Sequence, residues 1–221
     1  MKNKKTIRAS LFLSIIPIIL FFNSCKDNPA VNNPVTYDIV TSLGGNVTGL
    51  SSSNPYVRAI VSNAGQTYVV ASHLMTDSTF TLSLTVPPAG YLIDIDDFFV
   101  QNFIQGVSIS DNSANVNIMP VNVYDTTNIL RGSLQKLNHG PNENAAVGQI
   151  SVSVFYCDRP LTITGKNTLV IGIDTTVVNY NATLGTGWNV TTLRTTKLSN
   201  HYIEYSFING EIPGAKWYYK F

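Results

Sequence analysis

From residue 35 onward, apolar side chains recur at every second position. Thr79-Phe80-Thr81-Leu82-Ser83-Leu84-Thr85-Val86 alternates without a break, which puts Phe80, Leu82, Leu84 and Val86 on one face of an extended strand and the hydroxyl residues on the other. The same period predicts strands over 37–41, 56–62, 67–73, 91–96, 116–124, 129–137, 149–156, 161–164, 169–174, 177–184, 188–194 and 201–208. Turn chemistry falls between them at Gly44-Gly45, Asn63-Ala64-Gly65, Pro87-Pro88-Ala89-Gly90, Asn138-His139-Gly140-Pro141, Gly185-Thr186-Gly187 and Asn209-Gly210. Short strands separated by such turns, with no helical period between them, predict an all-β fold of antiparallel β-sandwich type. A short polar break near 110–115 divides the body into two expected sandwich portions, 35–112 and 113–221.

The first 24 residues follow another pattern. Lys2, Lys4, Lys5 and Arg8 precede an almost wholly apolar run over 9–22, and Asn23-Ser24-Cys25 follows it. This is the cationic, apolar and cleavage-site order of a secretory signal. The run of roughly 14 residues contains Pro17, and it falls short of the ~20 that span a bilayer as a helix. Ser24-Cys25 resembles the lipobox of bacterial lipoprotein signals, in the relaxed form of the Bacteroidota, with Phe22 and Asn23 in place of the commoner residues. The resemblance implies diacylglycerol on the Cys25 sulfur, cleavage after residue 24, and a location in the cell envelope. The expected address is the outer membrane, on its periplasmic face or at the cell surface. An ordinary signal peptide with an incidental Cys25 is the alternative. Residues 25–34, rich in Asn and Pro, then form an extended tether.

Charge changes the picture by exclusion. From Cys25 onward ten basic residues face thirteen acidic ones, a net −3, with no basic run. A protein that grips phosphates needs a clustered cationic surplus, so nucleic acid is not an expected partner. Cys157 lacks a second body cysteine apart from Cys25, so the body must be held by its apolar core rather than by disulfides.

Candidate chemistry is sparse. Asp94, Asp96 and Asp97 cluster in Leu92-Ile93-Asp94-Ile95-Asp96-Asp97. On a strand Asp94 and Asp96 share a face about 7 Å apart, which suits either a Ca²⁺ site or a solvated, charge-guarded sheet edge. No other cofactor is implied. His73, His139 and His201 lack metal-ligand spacing, and no Gly-x-Ser-x-Gly elbow is present. Cys157 reads as a packed residue beside an Asp158–Arg159 ion pair. Asp77-Ser78-Thr79, Asp125-Thr126-Thr127 and Asp174-Thr175-Thr176 resemble the O-glycosylation acceptor of Bacteroidota. In Lys216-Trp217-Tyr218-Tyr219-Lys220-Phe221, Trp217, Tyr218 and Tyr219 are candidates for a sugar-stacking platform or for closing the sandwich core.

Gly45-Asn46-Val47-Thr48-Gly49-Leu50, Ser78-Thr79-Phe80-Thr81-Leu82 and Pro87-Pro88-Ala89-Gly90-Tyr91 resemble transthyretin-like or carboxypeptidase-regulatory-like modules of exported bacterial proteins. That resemblance implies an Ig-like or transthyretin-like sandwich serving as spacer or accessory. Asp158-Arg159, Gly187-Trp188-Asn189 and Trp217 resemble a group of uncharacterised secreted or lipid-anchored proteins, which implies no activity. The expectation is a non-catalytic, membrane-anchored envelope protein acting in glycan or protein binding, adhesion or structure. The alternatives are a fimbrial-type subunit that assembles by strand exchange, and a lipid-anchored hydrolase or carbohydrate-binding accessory protein.

Overall fold

The computed structural model describes residues 37–50 and 54–221. The signal, Cys25 and the tether lie outside the described residues. Fifteen strands and one α-helix succeed one another along them: β1 (Ser42–Thr48), β2 (Tyr56–Asn63), β3 (Gln66–Leu74), β4 (Thr79–Ser83), β5 (Ile93–Asp94), α1 (Ile95–Gln101), β6 (Val107–Ile109), β7 (Asn115–Ile118), β8 (Val121–Tyr124), β9 (Leu130–Leu137), β10 (Ile150–Cys157), β11 (Leu161–Ile171), β12 (Asp174–Leu184), β13 (Gly187–Ser199), β14 (Tyr202–Asn209) and β15 (Lys216–Lys220). The all-β reading holds.

The strands join in one open sheet in the order β3-β2-β8-β9-β10-β13-β14-β12-β11-β6, from which β15, β1 and β4 branch at β9, and β7 and β5 at β10. Most pairings are antiparallel. Two are parallel: β1 beside β15, and β12 beside β14. Both sets of core side chains sit inside this folded sheet. One gathers Val57, Val61, Met75, Phe80, Leu82, Val123, Leu134, Trp188 and Trp217 between the early strands and the chain end. The other places Phe98, Phe99 and Ile95 of α1 over Val116, Leu161, Ile163, Val178, Leu184 and Phe207.

Neither core divides at residue 112. Val121, Leu134 and Trp217 complete the first, while Ile95, Phe98 and Phe99 belong to the second. β2 pairs with β8, and β1 with β15. The expected portions 35–112 and 113–221 are therefore interlaced by backbone hydrogen bonds.

Several elements differ from the two-residue period, each for a physical reason. The 91–96 strand is replaced by a two-residue strand and a helix, because Ile95, Phe98 and Phe99 are spaced to bury one helical face. Gly44-Gly45, expected as a turn, lies inside β1. A Cβ on Gly44 would stand 2.6 Å from the Phe80 carbonyl oxygen, and Gly45 at φ +146° lies against the Trp217 ring. The run 116–124 breaks at Met119-Pro120, where proline supplies no N–H to the ladder. The segments 161–164 and 169–171 are one strand, β11, paired along its length with β12, and Gly172-Ile173 form the turn between the two. The chain enters along β13: Ile39 bridges Asn189, the Val40 N–H donates to the Trp188 carbonyl, and the Val190 N–H donates to the Asp38 carbonyl.

Candidate functional site

Directly opposed residues on neighbouring strands share a sheet face, so the register shows which side chains meet. Val57, Val123, Val121 and Leu134 point into the core. On the other face, Leu74 of β3 stands opposite Tyr56 of β2, Tyr56 opposite Tyr124 of β8, and Tyr124 opposite Leu130 of β9. One row further, Ser72, Arg58, Asn122, Ser133 and Lys220 run across five strands. An apolar, aromatic row thus borders a polar, cationic one. Tyr218 lies two residues from Lys220 on β15 and shares its face.

Arg58 is the centre of this face. Its guanidinium carbon lies 5.3 Å from the Tyr56 ring centroid and 4.8 Å from that of Tyr124, both within cation–π range. Nη2 donates to Asn128 Oδ1 at 2.6 Å. Among the described residues no carboxylate forms an ion pair with Arg58. Asn128 is held by its turn. The Asp125 carboxylate accepts from the Thr127 N–H and hydroxyl and from the Ile129 N–H, and it receives Arg131 Nε at 2.8 Å and Nη2 at 2.5 Å. These bonds, led by the Thr127 hydroxyl, hold the Asp125 carboxyl well below the usual carboxylate range. Arg58 is thus held and half-buried, and among the described residues its charge is not neutralised by a carboxylate.

The residues singled out in the sequence are dispersed. Asp94 is the N-cap of α1, its side chain accepting the Asp96 N–H at 2.9 Å, and Asp96 and Asp97 occupy the first helical turn. Carboxylates there favour the helix dipole. They share no strand face, and among the described residues no group of three His, Cys, Asp or Glu side chains is placed to hold a metal ion. Of the aromatic trio, Trp217 is buried edge-on against Phe80 at 5.2 Å and donates its ring N–H to the Gly44 carbonyl. Tyr219 donates its hydroxyl to the Arg131 carbonyl. Only Tyr218 joins the face that carries Arg58. Asp77 and Asp125 each accept from the N–H and hydroxyl of the Thr two residues on.

Cys157 is fully buried, and burial first, then the neighbouring Asp158 carboxylate, pushes its thiol up to about 12. Arg159 pairs with Asp158 at 3.2 Å. His201 Nδ1 lies 2.8 Å from Asp174 Oδ1, and among the described residues no hydroxyl is bonded to that imidazole. This pair belongs to the end of the sheet where the β11–β12 and β13–β14 turns lie side by side. Ile171, Ile173 and Leu198 are exposed there. Nearby, Glu204 accepts from Tyr202 at 2.5 Å, Lys197 at 3.0 Å and Asn179 at 2.8 Å.

Comparison of the chain with family models, with curated proteins and with solved structures returned no match. Sequence reading passed over the Arg58 face. The signal was present as Tyr56-x-Arg58 and Asn122-x-Tyr124, two outward pairs on strands, but the register that brings them together is set by turns and core.

Proposed function

We propose that this protein is a non-catalytic binding protein of the cell envelope, anchored by lipid on Cys25, and that it engages its ligand through the face carrying Arg58. The observation that carries this reading is an arginine within cation–π range of two tyrosine rings and bonded to a turn asparagine, with no carboxylate paired to it among the described residues. Pre-ordering such a group in the free protein lowers the entropic penalty of binding. The direction of chain entry fits an anchored molecule. Ile39, near the start of the described residues, bridges Asn189 of β13, whereas Leu198, nine residues along the same strand, lies about 30 Å away.

The test is fractionation of cells expressing the full chain, with radiolabelled palmitate. The label and detergent-phase partitioning should follow the wild type and be lost in Cys25→Ser. A wild-type protein that carries no label and stays soluble without detergent overturns the anchored reading. A second reading is favoured by one edge. β6 covers only Ile163–Gly165 of β11, and among the described residues no strand pairs with Thr168–Val170 on the edge away from β12, an arrangement open to strand addition. A fimbrial-type subunit would form polymers on sizing chromatography; a monomer at high concentration removes that reading.

A further inference from the structure

We infer that the ligand of this face is an acidic polysaccharide, a linear glycan of uronic-acid type; the inference rests on the binding reading above and names its ligand class. Three features converge. The first is the strip of Leu74, Tyr56, Tyr124 and Leu130 across four strands. Aromatic and aliphatic groups in a row match the C–H faces of pyranose rings. The second is the parallel strip of Ser72, Arg58, Asn122, Ser133 and Lys220, which offers hydroxyl and amide groups between two cations. Arg58 and Lys220 are three strand spacings apart, about 14 Å. Cations at intervals along a neutral polar row suit a chain whose carboxylates recur among hydroxyls. The third is the state of Arg58 itself. Its planar fork matches a carboxylate in two-point fashion, and Asn128 and the two tyrosines hold the fork without neutralising it.

The same features disfavour other anions. A membrane surface selects clustered lysines and arginines beside protruding apolar side chains; here two cations stand three strands apart and Arg58 is half-buried. Nucleic acid requires a cationic surplus that the body, at net −3, does not have. Asp125, the carboxylate nearest in sequence to Asn128, is already bound twice by Arg131, so it does not oppose an incoming anion as a free charge.

The experiment uses the purified full chain in detergent and measures binding by affinity electrophoresis and calorimetry. The probes are polygalacturonate, its fully methyl-esterified form, a neutral glucan and anionic phospholipid vesicles. Polygalacturonate should bind, added salt should weaken it, and esterification should abolish it. Arg58→Gln should lower affinity by about tenfold or more, the loss expected for one charge-assisted contact. Lys220→Gln should lower it less. Because Lys220 ends β15 and belongs to neither core, that variant keeps the test valid if Arg58→Gln unfolds, which the melting temperature reports. Failure of the wild type to bind polygalacturonate overturns the inference, as does equal binding of the ester or no loss in either variant. Binding of the neutral glucan or of vesicles that is lost in Arg58→Gln overturns the ligand class but keeps the binding face. No loss of any binding in Arg58→Gln overturns both.

Discussion

Glu204 shows how a surface cluster sets an acid limit on the fold. Its carboxyl is lowered from 4.5 to about 2, chiefly by the Tyr202 hydroxyl, then by Lys197 and Asn179. A carboxyl whose folded value lies below its unfolded one adds stability that is complete above the unfolded value and fades as pH falls through the folded one. The melting-temperature gap between wild type and Glu204→Gln should therefore hold steady near neutrality and close between about pH 4.5 and 2. Lys197 is shifted upward by the same contact, so its share persists at neutral pH and is lost only in strong alkali. At Cys157 the fully buried, raised thiol should resist alkylation in the native protein and react in denaturant; rapid native labelling would contradict its placement. Gly44→Ala forces a methyl to within 2.6 Å of the Phe80 carbonyl oxygen. It should destabilise by roughly 2–3 kcal/mol, readable as a shifted urea midpoint.

α1 has the clearest dependence on a few side chains among the elements. Asp94→Ala removes its cap and should reduce stability by about 1 kcal/mol. Phe98→Ala opens a hole between the helix and the Phe155 ring, which it meets edge-on at 5.9 Å, and should reduce stability by about 3–4 kcal/mol; thermal melts of the two variants check the ranking. This helix was hidden in the sequence because Ile93 and Ile95 alternate with Asp94 and Asp96, a two-residue period that Asp97-Phe98-Phe99 breaks. β2, β3, β9, β10, β12, β13 and β14 were legible, since the two-residue period over 56–62, 67–73, 129–137, 149–156, 177–184, 188–194 and 201–208 falls on them. β1 was not. Its two glycines read as a turn, whereas close approach by Phe80 and Trp217 is what demands them. The Arg58 face was half legible: each strand shows which residues point outward, but pairing Tyr56 with Tyr124, residues far apart in sequence, is decided by tertiary register.

For the molecule as a whole, the interlaced cores predict one cooperative unfolding transition, seen as coincident far-ultraviolet and tryptophan-fluorescence curves, since Trp188 and Trp217 both report the first core. A fragment ending at residue 112 should remain unfolded by circular dichroism, because it lacks β8 and β15 and would leave Val57, Val61, Phe80 and Leu82 without their partners. The parallel contact of Val47 and Thr48 with Trp217 and Tyr218 has a consequence for biosynthesis. More than 160 residues separate β1 from the strand beside it, so the nascent polypeptide cannot make this pairing until residues 216–220 have emerged. Any machinery that threads such a chain through a pore meets a substrate unable to lock itself shut too soon.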